Sequence, residues 1–386
     1  MDARYEGREQ TEAKHRTLER YLERLAYKVG FTQRGVTLNY IDAFAGPWES
    51  KTDDLSDTSP AIALKTLLDV REELARHGKP ISVRAFFVSP TTKGVQQLES
   101  LRTRFTDAEI EVVPSRFEDA VDAARQFARA GSNPFTFIFI DPTGWTGFGL
   151  RDIAPLLREK PNEVLINFMT EHIKRFADDD DASYSSSIVD LFDDGSCRNE
   201  WRGLIGLDRE ERMVATYARR IAQVGDYKHC VSSVILKPTE DRTYFHLVYG
   251  TRSDEGLVTF REVGRDVLKV QRTNRADAKQ RKRVKRTGSF ELFSGTEIEP
   301  PRTYVDELRE RYLKRASTEL EAATRGSAPV SWDTLVLLAL QIPMIAESDV
   351  KDWLKQQMDV GSVEVLGLKP KERVPKRGQN HRVRRV

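Results

Sequence analysis

Cysteine is scarce in this chain. Cys197 and Cys230 are the only two among 386 residues, so the protein can close at most one disulfide and cannot build a cysteine-rich zinc site. Long apolar runs are missing too. Nothing approaches the roughly 18 consecutive apolar residues of a membrane-spanning helix, and the opening MDARYEGREQ lacks the apolar stretch of a secretory signal. These absences set the expectation of a soluble, cytoplasmic protein in a reducing compartment. There is neither a G-x-G-x-x-G nor a G-x-x-x-x-G-K-S/T, which removes support for a dinucleotide fingerprint or a P-loop. A surplus of one charge is lacking as well: 62 Lys and Arg face 60 Asp and Glu. Only local clusters can therefore point to an electrostatic partner.

What is present is enough for a packed core, with 39% hydrophobic and 9% aromatic residues. The length suits about two or three domains. Leu18, Tyr21, Leu22, Leu25 and Val29 recur on one helical face, predicting a lead-in helix over 8–30. Apolar, β-branched runs then alternate with helical stretches. The runs are 36–41, 81–88, 110–113, 135–140 and 163–168, and helices are expected near 59–77, through Leu98 and Leu101, and over 116–130. Such alternation is the signature of a mostly parallel sheet covered on both faces. A polar, helical region follows, with Asp178–Asp181 reading as a loop. The segments 230–236 and 243–249 then predict an antiparallel hairpin at the sheet edge. The expected fold is α/β, a Rossmann-like, seven-stranded, mostly parallel domain over 31–287. After a linker at 288–302, the residues 303–386 outline three helices, a strand at 362–366 and a basic hairpin or tail, as in a winged helix.

In open parallel sheets, ligands bind beyond the carboxyl ends of the strands. The first strand here ends in Asp42-Ala-Phe44-Ala45-Gly46-Pro47, a small-residue turn that lets backbone approach a ligand. The fourth ends in Asp141-Pro142-Thr143-Gly144-Trp145. This turn resembles the D/N-P-P-Y/F/W loop of amino-group methyltransferases, and the resemblance implies their chemistry: an exocyclic amine is a poor nucleophile because its lone pair is delocalised into the ring. A carboxylate and a backbone carbonyl that accept its two N–H groups localise that pair and aim it, and an aromatic ring stacks on the base. Asp141, the carbonyl of Pro142 and Trp145 can fill those roles, with Asn167 at the next strand end.

The first turn resembles the D-x-F-A-G-x loop of class I S-adenosylmethionine-dependent methyltransferases, and the second resembles the D/N-P-P-Y/F/W loop of the amino-group enzymes. Thr143 stands in place of the second proline, however, and the aromatic comes one residue late. Together with LINF at 165–168 and the lead-in Lys14-His15-x-x-Leu18-x-x-Tyr21-Leu22, these segments resemble the three-Cys-motif partner protein (TcmP) family, over nearly the whole chain. The resemblance implies a methyltransferase-like fold, S-adenosylmethionine as cofactor and a small radical-SAM-like partner protein with three cysteines. A more distant likeness to large-subunit rRNA adenine-N6 methyltransferases implies that Lys14 and His15 lie near the cofactor carboxylate. Asp42, Phe44, Ala45, Gly46 and Pro47 would border the methionine half, and Glu118 the adenine. Ser89 stands where such enzymes usually carry an acid for the ribose, and a neutral group makes the weaker bond.

Two basic clusters stand apart from the balanced remainder. One runs over 265–286 and includes Lys279, Arg281, Lys282, Arg283, Lys285 and Arg286. The other lies in the last eighteen residues, with Lys369, Lys371, Arg373, Lys376, Arg377, Arg382, Arg384 and Arg385. Dense positive charge beside a winged-helix outline fits the phosphate backbone of RNA or DNA. The sequence thus supports a methyltransferase-like protein acting on nucleic acid. The alternative is a catalytically degenerate relative that serves as an adaptor for nucleic acid or a partner.

Overall fold

A computed structural model describes residues 3–144, 146–176, 182–287 and 302–386. Trp145, the acidic run 178–181 and all of the expected linker except Arg302 lie outside the described residues. In order, the first part of the chain forms α1 (Glu9–Thr32), β1 (Thr37–Asp42), α2 (Ser59–Arg76), β2 (Ser82–Val88), α3 (Thr92–Arg104), β3 (Glu109–Val113), α4 (Phe117–Arg129) and β4 (Pro134–Ile140). It continues with α5 (Leu150–Leu157), β5 (Asn162–Phe168), α6 (Thr170–Phe176), α7 (Ala182–Phe192), α8 (Gly206–Gly225), β6 (His229–Leu236) and β7 (Thr243–Thr251). The strands build one seven-stranded sheet, in the order β3-β2-β1-β4-β5-β7-β6. β1 to β5 pair in parallel, and β7 alone runs against its neighbours. This is a mixed α/β, Rossmann-like sheet with the expected hairpin at its edge.

Side chains alternate across a strand, and both faces here are apolar. On one face Tyr40 packs against Phe87 and Phe137, and Tyr21 of α1 lies on Phe137 with ring centroids 5.7 Å apart. The predicted stripe Leu18, Tyr21, Leu22, Leu25 and Val29 is buried. α1 and α2 approach so closely at Gly30 that a Cβ there would stand 2.4 Å from a methyl of Leu74. The opposite face carries Ile41, Phe86, Val88, Ile138, Ile140, Ile166 and Phe168, packed with Phe117, Phe127, Ile153 and Tyr217 from α4, α5 and α8.

α1 is also fastened by a buried polar cluster. Tyr21 Oη donates to Glu163 Oε2 at 2.7 Å and meets the hydroxyl of Tyr249, while Thr251 Oγ1 donates to Glu163 Oε1 at 2.7 Å. Burial raises the Glu163 carboxyl above its ordinary pKa. Buried acids of this kind depend on their donors.

The remaining chain is α9 (Asp254–Thr287), α10 (Tyr304–Ala323), β8 (Val330–Ser331), α11 (Trp332–Ala339), α12 (Glu347–Asp359), β9 (Val363–Leu366) and β10 (Arg382–Arg385). Compact units divide at Ser253 and Asp254. This corrects the expectation that the α/β domain runs to 287. The reason is the set of partners α9 finds. Buried Arg261 donates to the carbonyl of Leu340 at 2.8 Å, capping the end of α11, and burial lowers its pKa to about 9. Arg265 bonds Ser348 and Arg272 pairs with Asp306. In this second unit, β8, β10 and β9 form a three-stranded antiparallel sheet over a core that includes Trp332, Leu335, Val350, Leu354 and Val383. The basic tail is therefore folded, with β10 at its centre. Among the described residues, no helix is long and apolar enough to cross a membrane.

Tyr21→Phe leaves Glu163 and Tyr249 each short of a partner. It is expected to lower stability by about 1–3 kcal/mol in urea unfolding; an unchanged midpoint would show that the cluster is satisfied without it.

Candidate functional site

The period of two carries polar side chains to the carboxyl edge on the face that α1 covers. Asp42 continues the series Leu38, Tyr40; Asp141 continues Phe137, Phe139; Asn167 continues Glu163, Leu165; and Ser89 continues Ala85, Phe87. Because β2, β1, β4 and β5 are adjacent and in register, Ser89, Asp141 and Asn167 stand level across the sheet edge, and Asp42, paired with Phe87 and Phe139, lies two residues behind them. The turns that open at Asp42 and Asp141 thus lie side by side.

Asp141 is the hub. Its Oδ1 accepts from Asn167 Nδ2 at 2.7 Å and its Oδ2 accepts from Lys14 Nζ at 2.5 Å. Lys14 and Asp141 side chains are 13% and 15% exposed, so the pair sits at the mouth of the edge. Such a half-shielded pair is stronger than a surface one. Asn167 is buried, and its Oδ1 has no hydrogen-bond partner among the described residues. Pro142 is buried beside it, and Trp145 falls outside the described residues.

Asp42 is differently placed. It is wholly buried and accepts from its own turn at Phe44 N (3.2 Å), from Ser59 Oγ (3.0 Å) and from Tyr40 Oη (3.3 Å). Its carboxyl therefore holds the loop and the start of α2 and does not face outward. Burial, with the nearby Asp141 charge second, raises its pKa from 3.8 to about 7. Ala45 is also buried, its N–H donating to the carbonyl of Val88. Gly46 has φ +88°, and a Cβ there would meet the Trp48 ring at 3.0 Å; Pro47 is exposed. Gln97 clamps Trp48 by accepting from its N–H (3.1 Å) and donating to its carbonyl (3.0 Å).

Ser89 is fully buried, its hydroxyl has no partner among the described residues, and a Cβ at Gly94 would come up against it. On the other side of the edge, half-buried Phe44 and Glu118 gather around Gly147. There φ is +84°, and a Cβ would stand 3.3 Å from Glu118 Oε2 and 3.7 Å from the Phe44 ring.

His15 parts company with Lys14. Its Nδ1 pairs with Tyr5 Oη at 3.1 Å, and it helps line a separate cavity of about 570 Å³ with Arg4, Arg16, Asp54 and Arg104. Burial, then the Lys14 charge, holds the imidazole well below its ordinary pKa. Among the basic residues, Lys279, Lys282, Arg283, Lys285 and Arg286 are exposed on α9 and Arg281 is half-buried. Arg377 is neutralised by Glu347 and Glu255, Arg384 by Glu364, and Lys376 stands 3.6 Å from Glu372. Arg382 and Arg385 are exposed. The sequence reading missed Tyr40, Ser59 and Gln97. Tyr40, two residues before Asp42, could have been found by alternation; nothing in the sequence announces that Ser59 or Gln97 returns to the loop.

No family model matches the chain, and no curated protein matches it. Among solved structures, the crystal structure of protein LPL1258 from Legionella pneumophila str. Philadelphia 1, family-model DUF519, aligns with 61% of this chain and 84% of that one. The identity is 9% and the TM-score 0.34, a likeness that bears on neither site nor activity.

The Asp42 carboxyl holds its proton more tightly in the folded than in the unfolded chain. Its contribution to stability is therefore present at pH 4 and is lost as pH rises from 3.8 to about 7. Asp42→Asn is expected to flatten that slope, removing about 2–3 kcal/mol of the stability difference between pH 5 and pH 8 in urea unfolding. A variant that keeps the wild-type slope would assign the titration to another group.

Proposed function

We propose that this chain is a methyltransferase-like enzyme of the TcmP kind that uses S-adenosylmethionine to methylate nucleic acid, with a winged-helix-like second unit for docking. The observation that carries the reading is Asp141, held by Lys14 and Asn167 at the carboxyl edge of a sheet ordered 3-2-1-4-5-7-6. The order helix, strand, helix, helix, two strands from α10 to β10 supports the winged-helix part.

The residues fit the cofactor in part. Phe44 and Glu118, which lie together at Gly147, are the residues that would border an adenosyl group. Asp42 does not serve as a direct contact, because its oxygens are taken up within the fold. When bound, S-adenosylmethionine supplies a methyl group on a positively charged sulfur, open to attack by a lone pair. Asp141 supplies the acceptor that orients an amine N–H. Asn167 Oδ1, buried and without a partner among the described residues, supplies a second acceptor within the same hydrogen-bonded group. Lys14 holds the Asp141 carboxylate in place through the ion pair, and yields Oδ2 when an amine arrives. A positioned acceptor of this kind contributes about 10²–10⁴ in rate.

The sealed position of Ser89 and Asp42 favours the second reading, a degenerate methyltransferase fold that acts as an adaptor for nucleic acid or for a three-Cys, radical-SAM-like partner. Label transfer from S-adenosylmethionine to total RNA, DNA and protein separates the two. The enzyme reading expects label in nucleic acid, and no label in any fraction would leave the adaptor. In the same assay Asp141→Ala is expected to cut transfer at least 100-fold while cofactor affinity stays within about five-fold. Equal loss of both would make Asp141 structural.

A further inference from the structure

We infer that the second unit grips the phosphodiester backbone of a nucleic-acid duplex with the β9–β10 hairpin and its long connection, and not with α12, the helix that a winged-helix outline would offer to the groove. The inference rests on the nucleic-acid reading above and goes beyond it in naming the surface and the form of the ligand.

The charge on α12 argues against that helix. Its sequence ESDVKDWLKQQMD holds Glu347, Asp349, Asp352 and Asp359 against Lys351 and Lys355. Glu347 engages Lys351 and Arg377, and Asp349 engages Arg309. Exposed Asp352 stands 3.7 Å from Lys355, and exposed Asp359 remains on the last turn, so the acids outnumber the lysines on this helix. A phosphate-lined groove would repel such a helix.

The hairpin has the opposite character. Between Leu366 and Arg382 the chain carries Lys369, Lys371, Arg373, Lys376 and Arg377 with a single acid, Glu372. That acid is turned inward. Its carboxylate accepts from the backbone of Lys369 at 2.9 Å and lies 3.5 Å from Nε2 of buried His381 and 3.6 Å from Lys376 Nζ. The Lys369 amide, then the neighbouring cations, hold Glu372 below its ordinary pKa. Lys369, Lys371, Arg373, Arg382 and Arg385 are left exposed without a carboxylate partner among the described residues.

The connection is also fixed in shape. His381 Nδ1 accepts from the Lys376 amide at 3.0 Å, and its carbonyl accepts from Trp332 N at 2.9 Å. Asp333 accepts from Gly378 N at 3.1 Å, and Arg377 is tied to Glu347 and Glu255. On β10, Val383 faces the core while Arg382 and Arg384 point out, and Arg384 is spent on Glu364. Cations held on a pre-organised loop meet the fixed phosphates of a duplex with little ordering cost, whereas a single strand demands adaptation and stacking rings. Backbone contacts of this sort carry no base sequence.

The test is fluorescence anisotropy of the full chain with labelled duplex RNA, duplex DNA and single-stranded RNA of equal length, across a salt series. The combined variant Lys369→Glu, Lys371→Glu, Arg373→Glu should bind duplex about 10- to 100-fold more weakly and lower the salt slope by about 2–3. Lys351→Glu with Lys355→Glu on α12 should change affinity less than about two-fold. The corresponding Lys→Gln and Arg→Gln variant, with an unchanged circular dichroism spectrum, keeps the result independent of misfolding. Duplex RNA and duplex DNA arms show which of the two supplies the phosphates. Wild-type affinity in the hairpin variant, an equal loss on α12, or tighter binding of single strands would each overturn the inference while leaving the nucleic-acid reading standing. Failure of the wild type to bind any of the three would remove both.

Discussion

A carboxylate at the end of a central parallel strand has no partner within its own strand, and the sheet edge around it is short of donors. In this protein Asp141 meets that constraint through Lys14, which comes from the first helix, and Asn167, which comes from the neighbouring strand. The consequence is architectural as well as chemical. α1 must lie over β4 and β5 for Lys14 to reach the edge, and the Tyr21–Glu163–Tyr249 cluster fastens the same helix farther along. The lead-in helix is thus a wall of the site, held near its start by an ion pair and at its middle by buried hydroxyls.

The four polar residues of the edge divide into two kinds. Asp42 and Ser89 are sealed within the fold, where Asp42 organises a turn and Ser89 lies against α3. Asp141 and Lys14 remain at the mouth. The turn that opens at Asp42 thus serves as a scaffold for β1, while the pair left at the mouth sits on β4 and α1. Neutralising Asp141 with Lys14 has a second effect, since an unpaired carboxylate beside it would push Asp42 still further from ionisation.

Much of the fold was legible because five strands with near-continuous β-branched and aromatic runs leave few alternatives, and each falls within a residue or two of its expected bounds. Short elements were not. α5 is eight residues long and contains Pro155, which masks its periodicity, and β8 and β10 are too brief to alternate visibly. Arg382-Val-Arg-Arg385 reads as a charged tail until β9 and β8 pair with it. The domain boundary escaped for another reason: α9 has no break in its sequence at 254, and only its partners in α10, α11 and α12 show where it belongs. In the site, Asp42 and Asp141 were identifiable from position, but the direction each carboxylate faces depends on Ser59 and Lys14, whose return to the edge is a property of the folded chain. The charge of the second unit follows the same rule, with Arg377 and Arg384 spent internally and Lys369, Lys371 and Arg373 left outward.

The claim at the centre of this account is that the carboxyl edge around Asp141 holds a sulfonium cofactor beside an acceptor. Crystallography of the full chain with S-adenosylhomocysteine addresses it most directly. The account predicts the ligand across the ends of β1 and β4, its adenosyl group against Phe44 and Glu118 and its sulfur toward Asp141. Ligand density in the cavity beside His15, or an edge that stays closed at millimolar ligand, would contradict it.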